Sequence, residues 1–392
     1  FTNPQSKFRR LRARPTQQAV AACLATMALA AQAQDGPVTS VTITGRSSGN
    51  SAAVAGFGDQ PLYRSPFSAT VISTSQLLDA GISGLGDLTR LDAATTDAYN
   101  APGYWGLMAV RGFTLDPQFN YRRDGLPINA ESVLPLANKR GLELLKGISG
   151  LQAGTSAPGG LINLDVKRPV GRIRQASVAW TEDDSRSVAL DVGDGDSRLG
   201  WRVNAEYAHL QPQTRNSKGH RELASLAVDS EPVRGTLIEA EVEFSRQSQP
   251  STPGFSLLGN RLPDARSIDP RINLNNQAWS QPVVLDGTTA SLRWQRKLAG
   301  GWKFVAHAAT QQLTSDDRIA FPFGCFDPNP APNGTYYADR YCPNGNFDLY
   351  DFRSDGERRR SDALDLNLSG KLHTGAVEHA VSAGILSSRV KN

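Results

Sequence analysis

The chain of 392 residues is long enough for two or three domains, and 39% of its residues are hydrophobic. Beyond the N-terminus, it has no apolar run long enough for a helix that spans a membrane, although strands that cross a membrane would not show one. The formal net charge is +4, and much of the basic excess lies in the first 14 residues, so we do not expect a nucleic-acid partner.

Residues 1–33 are predicted to be a secretory signal peptide. They begin with a basic region, continue through an apolar stretch from Ala19 to Ala31, and end in Ala31-Gln32-Ala33, which is a small-x-small cleavage site. This segment is therefore excluded from the fold prediction.

Residues 34–60 are predicted to combine a strand-forming segment with a linker. Val38 to Gly45 alternates Val, Thr and Ile, which gives it high strand propensity near a mobile terminus. Such a segment can add as a strand to the sheet edge of another protein, and an ordinary first strand is the alternative. Residues 46–60 are rich in Gly, Ser and Ala, as in flexible linkers.

Residues 61–169 are predicted to form a compact mixed domain with a small sheet. Ser68 to Ser73 predicts a strand, and two short helices are expected, one capped by Ser75 and running through Ala80, the other over 85–91. Later runs are short and β-like and end in Gly-containing turns, and Asp124-Gly125 is a strong hairpin dipeptide.

Four short motifs follow one another in this domain. They are Arg111-Gly112-Phe113, Asp124-Gly125-Leu126-Pro127, Leu145-Lys146-Gly147 and Pro158-Gly159-Gly160-Leu161-Ile162-Asn163. In this order and spacing, the domain resembles the plug of TonB-dependent outer-membrane receptors, most closely those of the ferric-siderophore branch. The resemblance implies a mixed α/β plug domain inside a transmembrane antiparallel β-barrel of about 22 strands.

The resemblance also implies how the receptor is energised. The strand-forming segment after the signal peptide is similar to the TonB box, which binds TonB and its inner-membrane energising complex. The residues assigned to this box are Thr39, Ser40, Val41, Thr42, Ile43 and Thr44.

The upper loops of the plug are implied to contact the ligand in the barrel lumen. They are rich in aromatic residues, Asn and Gln, which is typical of recognition surfaces. Packing of the same aromatic residues against the barrel wall is the alternative. The predicted contacts are Tyr99, Asn100, Tyr104, Trp105, Gln118, Phe119, Asn120 and Tyr121.

Two basic residues, Arg111 and Lys146, are implied to lock the plug to barrel glutamates that we expect beyond residue 392. Such buried, charge-assisted pairs could be released when the plug is pulled. Lys146 stands where many family members have Arg, and Lys cannot make a bidentate contact, so a weaker lock is expected. Arg140-Gly141 departs from the usual Glu-Arg, which puts one plug salt bridge in question.

After Pro169 the pattern changes to alternating runs of about ten residues, as in transmembrane β-barrels. Short connections alternate with two long ones, 248–286 and 315–356. Nine strands cannot enclose a plug, so residues 170–392 are predicted to be the N-terminal part of an incomplete barrel. The predicted strands lie near 173–182, 185–193, 198–210, 219–229, 234–247, 287–298, 301–314, 357–370 and 375–388.

Cys325 and Cys342 are predicted to form a disulfide. They lie in a loop rich in Pro, Asn and Gly, and a secreted chain meets an oxidising compartment. No His or third Cys accompanies the pair, so a metal site is not expected there.

We therefore expect a protein of the bacterial outer membrane that imports a ferric siderophore by active transport, with TonB and membrane lipid as further partners. No catalytic motif is found, so an enzyme is not expected. No resident cofactor or metal is expected either, because the iron is carried by the siderophore. Two alternatives stay open, namely TonB-dependent uptake of cobalamin, haem or an oligosaccharide, and a surface receptor that does not transport. The plug argues against a passive porin.

Overall fold

The computed structural model describes residues 62, 67–99, 102–147, 156–329 and 332–392. The predicted signal peptide, the TonB box, the linker and Asn100 lie outside the described residues. Within these ranges, no helix is both long and apolar enough to cross a membrane.

Residues 67–169, here called the plug, are built on a five-stranded mixed sheet. Its strands are β1 (Ser68–Ser73), β5 (Tyr121–Arg123), β6 (Leu126–Pro127), β7 (Lys139–Lys146) and β8 (Gly160–Val166), in the order β1-β7-β8-β5-β6. A smaller antiparallel sheet contains β2 (Thr95–Asp97), β3 (Met108–Val110) and β4 (Phe113–Thr114). The two sheets share one apolar core, which includes Met108, Tyr121, Leu142 and Ile162.

Two short helices follow β1, as predicted. Helix α1 (Thr74–Asp79) is capped by a reciprocal pair of hydrogen bonds between Ser73 and Gln76, so the prediction of Ser75 as the cap is wrong by two residues. A 3-10 helix spans Leu85–Arg90 and buries Leu85 and Leu88 in the core.

The predicted hairpin at Asp124-Gly125 is present between β5 and β6. Both residues have positive φ, 48° and 88°, which is the backbone that a two-residue turn of this type requires.

Residues 173–391 form a nine-stranded antiparallel sheet, here called the wall, and all nine predicted strands are present. Each strand pairs with the next along the chain, except that a small hairpin of β16 (Cys325–Asp327) and β17 (Thr335–Tyr337) lies within one connection. The wall strands are β9 (Ile173–Trp180), β10 (Arg186–Gly195), β11 (Leu199–Leu210), β12 (Gly219–Val233), β13 (Thr236–Gln249), β14 (Val283–Lys297), β15 (Lys303–Pro322), β18 (Leu349–Thr374) and β19 (Val377–Lys391).

The two faces of the wall have the reverse of the polarity found in a water-soluble sheet. On β13, Glu239, Glu241 and Glu243 are buried on one face, whereas Phe244 on the other face is 53% exposed. Burial of charge beside exposure of large apolar side chains is expected when the outer face meets lipid and the inner face meets a polar lumen. The buried face is the one that contacts the plug.

Two strands extend further than predicted at the end of the wall that carries the long loops. β15 continues to Pro322 and β18 begins at Leu349, so the predicted loop 315–356 shortens to 323–348. The segment Asp316-Asp317-Arg318 is polar on both faces, so the apolar alternation stops although the backbone pairing continues across an irregularity between Ser315 and Asp317.

Gly160 is expected to be indispensable for the close pairing of β7 with β8. Its φ is +141°, and a Cβ atom there would lie 1.9 Å from the carbonyl oxygen of Leu145. We expect Gly160→Ala to destabilise the plug by about 3 kcal/mol, because the clash is with backbone. Hydrogen exchange of β7 and β8 amides in the full-length receptor measures this loss.

Gly125→Ala is the matched control, because Gly125 also has positive φ but a Cβ would meet nothing within 4 Å. It should cost only about 1–2 kcal/mol of backbone strain. Equal protection in the two variants would contradict the close-packing argument.

Candidate functional site

The centre of the contact between plug and wall is a buried set of four charged side chains. Arg123 of β5 and Lys139 of β7 face Glu241 and Glu243 of β13, and every one of these side chains is at most 6% exposed. Arg123 Nη1 lies 2.8 Å from Glu243, Lys139 Nζ lies 2.6 Å from it, and Arg123 also donates to Glu241. The two positive and two negative charges cancel, so the set is neutral in a site that excludes water.

Asn138 supports this set, because its Nδ2 donates to Glu243 at 2.5 Å. Glu243 therefore accepts hydrogen bonds from three plug side chains at once. Removal of that one carboxylate would leave two buried cations with Glu241 alone.

The chain segment that leaves the plug is anchored to the same wall. Lys167 Nζ lies 3.0 Å from Asp191 of β10, and Arg168 donates to Asp229 of β12. Arg202 of β11 contacts Asp191 at 2.8 Å and donates to the carbonyl oxygen of Arg168 at 2.9 Å. The last segment of the plug, which contains Lys167 and Arg168, is thus held to neighbouring wall strands by ion pairs.

At the long-loop end, three aromatic side chains of the plug form a cluster. The Tyr99 ring lies 5.6 Å from that of Tyr104 and 5.0 Å from that of Trp105, and Tyr99 is 45% exposed. Tyr104 reaches the wall, where its hydroxyl donates to Asp317 of β15 at 2.6 Å. Burial and this carboxylate raise the pKa of Tyr104, which keeps the phenol protonated and able to donate.

Two more contacts join this end of the plug to the wall. Glu131 pairs with Arg359 of β18 at 2.5 Å, and Gln311 of β15 exchanges two hydrogen bonds with the backbone of Asn129. The surface of the plug at the long-loop end, here called the upper surface, is therefore attached to β15 and β18.

The other predicted ligand contacts divide into two groups. Phe119 is 42% exposed and Gln118 is half-buried beside it, so contact of these two residues with a ligand stays a prediction. Asn120 and Tyr121 are fully buried, so their prediction as ligand contacts is wrong. The Asn120 amide donates to Ala157 and Gly160, and the Tyr121 hydroxyl accepts from the Met108 N–H, so both stabilise the plug core.

The two predicted lock residues lie close to one another. A Cβ atom on Gly147, next to Lys146, would lie 3.4 Å from Arg111 Nη1, so the fold brings these two sequence motifs together. Arg111 is exposed, in a turn where it and Gly112 have positive φ. Lys146 pairs within the plug, with Asp92 at 2.6 Å. Barrel partners for both residues stay a prediction.

Arg140, which stands where the family usually has Glu, pairs with Asp165 across β7 and β8. This part of the plug therefore has an ion pair of its own, although the residues differ from the family pattern.

The structure joins Cys325 and Cys342 in a disulfide, with Cα atoms 5.5 Å apart. Tyr341, next to Cys342, is 1% exposed, and its backbone bonds to Leu257 and Gly259 of the preceding long loop. The covalent link therefore lies where the two long loops meet.

Comparison with known proteins supports this architecture. The family model of the TonB-dependent receptor plug domain matches residues 61–161. The chain is 21% identical over 359 residues to the ferrichrome outer membrane transporter/phage receptor of Escherichia coli (strain K12), covering 85% of this chain and 46% of that protein. It is 23% identical over 346 residues to the ferripyoverdine receptor of Pseudomonas aeruginosa, covering 82% of this chain and 39% of that protein. The chain thus spans less than half the length of these relatives.

Solved structures share the fold. The crystal structure of the Pseudomonas aeruginosa ferripyoverdine receptor bound to ferripyoverdine gives a TM-score of 0.67 at 19% identity, covering 86% of this chain and 44% of that one. The ferric-catecholate import receptor of Escherichia coli K12 in its closed form gives 0.70 at 17% identity, covering 87% and 49%.

A plug seated on an antiparallel wall with an apolar outer face is the arrangement that the chain shares with these solved structures. Residues 61–161 match the plug domain of TonB-dependent receptors, as the motifs predicted, and the relatives named above include an outer-membrane transporter. The proteins it matches are receptors and transporters and not enzymes.

Glu243→Gln is expected to loosen the plug, because it leaves Arg123 and Lys139 buried with one carboxylate. We expect a loss of about 3–5 kcal/mol in the stability of the seated plug. Hydrogen exchange of plug amides in the full-length receptor reports this loss.

The matched control is Asp286→Asn, which breaks the ion pair with Arg246 on the outer face of the adjacent strand. That pair is about a third exposed on each side, so its loss should cost under about 1 kcal/mol. Equal hydrogen-exchange protection of the plug amides in Glu243→Gln and Asp286→Asn would contradict this account.

Asp92 is expected to make plug stability dependent on acid pH. Burial acts to raise its pKa, but hydrogen bonds from Lys146, the Ala94 N–H and Thr70 outweigh burial, and the pKa is lowered. Its stabilisation is therefore complete above the unfolded-state pKa of about 3.9 and is lost as pH falls through the lower native pKa. Asp92→Asn should cost about 1–3 kcal/mol at neutral pH.

Plug protection of the wild type and of Asp92→Asn, followed from pH 7 to pH 3, tests this expectation. The difference between the two curves should narrow as pH falls below about 3.9, because the unfolded-state carboxyl then binds a proton more readily than the native one does. A difference between the curves that does not change with pH would contradict the assignment.

Proposed function

We propose that the receptor to which this chain belongs imports a ferric siderophore across the outer membrane, with energy supplied by the TonB complex. The observation that carries the proposal is the buried charge set at Arg123, Lys139, Glu241 and Glu243. A plug attached to the wall in this way does not leave the lumen readily, because several buried ion pairs must break first. Transport past it requires work, which is what a TonB-dependent device delivers.

The proposed ligand site is the upper surface of the plug. Its aromatic cluster at Tyr99, Tyr104 and Trp105, with Phe119 nearby in sequence, offers flat faces and hydrogen-bonding groups that suit a metal chelate of mixed polarity. The ferrichrome transporter and the ferripyoverdine receptor are both named for ferric siderophores, which supports this class of cargo.

The route of the work is the proposed TonB box at Thr39–Thr44. An extended segment that pairs with the sheet edge of a partner is held by several main-chain hydrogen bonds. The outer membrane has no ATP supply of its own, so force must enter mechanically from the inner-membrane complex.

The attachment of the plug on the far side of the barrel is also part of the proposal. Arg111 lies close to Gly147, next to Lys146, and Lys146 is at the opposite end of β7 from Lys139. We propose that barrel glutamates beyond residue 392 approach them and complete the lock.

Ile43→Pro is expected to keep siderophore binding and to abolish uptake, because proline removes a ladder donor within the TonB box. Uptake of labelled iron by iron-starved cells that lack other receptors, measured on a panel of ferric siderophores, gives the readout. Ala53→Pro, in the predicted linker, is the control and should transport normally.

Two other results would redirect the proposal. Undiminished uptake by Ile43→Pro would remove the TonB-box assignment. If no ferric chelate is taken up, but cobalamin, haem, an oligosaccharide or the metal chelate of pseudopaline is, the proposed cargo would change to that compound. Pseudopaline is included because a metal-pseudopaline receptor is 26% identical to the chain over 276 residues. No uptake of anything would favour a surface receptor that does not transport.

A further inference from the structure

The aromatic cluster of the plug borders a group of carboxylates at the long-loop end. Burial, and then the negative charges of Glu131 and Asp317, raise the pKa of Tyr99, so both carboxylates lie close to that ring. Rings and carboxylates also meet at one small cavity between the plug and the wall. The acidic aromatic site is defined here as Tyr99 together with the cavity-lining residues Tyr104, Trp105, Glu131, Asp317 and Glu357.

The carboxylates of this site are only partly compensated. Arg359 of β18 lies 2.5 Å from Glu131 and 2.7 Å from Glu357, so one guanidinium pairs with both. Asp317 makes no ion pair with any of the described residues. One of its oxygens accepts the hydrogen bond from Tyr104, and the other, Oδ1, is buried without a hydrogen-bond partner. Three negative charges and one positive charge leave the site with an excess of two negative charges.

Attachment of the plug alone does not account for the charge of Asp317. Gln311 lies on the same strand and holds the backbone of Asn129 through two hydrogen bonds of a neutral amide. A half-buried carboxylate without a counter-ion is more costly than such an amide, because surroundings of low dielectric constant disfavour an uncompensated charge. A positively charged group on a ligand would supply the missing counter-ion.

The aromatic rings of the site are also suited to a cation. Tyr99 is 45% exposed, and its ring meets that of Trp105 at an angle of 72°, so the two rings form a corner rather than a stack. A cation near the face of an aromatic ring is attracted by the ring quadrupole, most strongly at Trp. Negative charge and aromatic faces therefore favour the same kind of ligand group.

We propose that the acidic aromatic site selects ferric chelates that carry a positively charged group, such as a primary ammonium, and discriminates against anionic chelates. This inference rests on the proposed function and specifies its cargo. The ammonium would lie against the rings of Tyr99 and Trp105, where it is attracted by the carboxylate of Asp317.

The charge of the chelate itself separates the main classes of siderophore. Three singly charged hydroxamate groups neutralise iron(III), so a tris-hydroxamate with a pendant ammonium is a cation. Three catecholate groups, each a dianion, leave the iron(III) complex strongly negative. The excess negative charge of the site therefore attracts the first class and repels the second.

The test uses one ferric tris-hydroxamate whose side chain ends in a free ammonium, together with its N-acetylated neutral form and its N-succinylated anionic form. The three compounds share the metal and its ligands, so differences in affinity report the pendant charge. Calorimetry on the purified full-length receptor measures each Kd. We expect the ammonium form to bind about tenfold more tightly than the acetylated form, and the succinylated form to bind most weakly.

Asp317→Asn separates charge from attachment, because Asn keeps an oxygen that can accept the Tyr104 hydrogen bond. The preference for the ammonium form should fall to about threefold or less in this variant. Asp351→Asn is the matched control. Asp351 is exposed and lies opposite Ala320, so it is on the face of the β15–β18 pair that Asp317 does not share. It should keep the wild-type preference, and hydrogen exchange of the plug amides confirms that both variants are folded.

The proposal is overturned if the acetylated or succinylated form binds the wild type as tightly as the ammonium form. It is also overturned if Asp317→Asn keeps the full preference, or if Asp351→Asn loses as much of it. A ferric tris-catecholate is the fourth ligand, and binding as tight as that of the ammonium form would overturn charge selection while leaving ferric-siderophore import intact. Binding of none of the four chelates would instead overturn the proposed cargo, and this inference with it.

Discussion

The buried charges between β13 and the plug are the interaction on which the rest of the arrangement depends. A wall whose outer face meets lipid must place its polar side chains on the inner face, and on β13 these include Glu239, Glu241 and Glu243. Carboxylates buried without partners would be strongly destabilising. The plug supplies Arg123 and Lys139 to Glu241 and Glu243, and Arg168 lies 3.6 Å from Glu239, so the charges of the wall and of the plug compensate one another.

This constraint links the fold to the proposed function. The charge set lies on the inside of the wall, the aromatic cluster is at the upper end of the plug, and the proposed TonB box precedes the plug in sequence. A ligand bound at the aromatic cluster and a force applied through the proposed TonB box would therefore both act on the plug. The hydrogen bond from Tyr104 to Asp317 connects the proposed ligand surface to β15 directly. A ligand that disturbed this bond would therefore change how the plug contacts the wall.

Much of the fold was predictable because its signals are local. The alternation of Val, Leu and Ala with polar residues placed the nine wall strands, Asp124-Gly125 placed a hairpin, and the order of four short motifs placed the plug. The helix cap moved from Ser75 to Ser73 because several neighbouring Ser and Thr residues can serve as caps, and only the backbone selects one. β15 and β18 run past their predicted ends because pairing continues after the apolar alternation has stopped.

The site was less predictable because it depends on contacts between distant segments. Glu241 and Glu243 are separated by more than a hundred residues from Arg123 and Lys139, and the sequence does not contain their register. Three acidic residues alternating on β13 were the available signal, since repeated charge on the inward face predicts buried counter-charges. Asn120 and Tyr121 share the composition of a recognition loop, yet their side chains turn into the core, where Asn120 organises the backbone around Ala157 and Gly160.

A double-mutant cycle between Lys139 and Glu243 tests the central claim most directly. Lys139→Met, Glu243→Met and the double variant would be compared in the full-length receptor by hydrogen exchange of the β7 amides. The account predicts a coupling free energy of about 2 kcal/mol or more, with the double variant more stable than the sum of the single losses implies. Purely additive losses would show that the two side chains are neighbours without holding the plug to the wall.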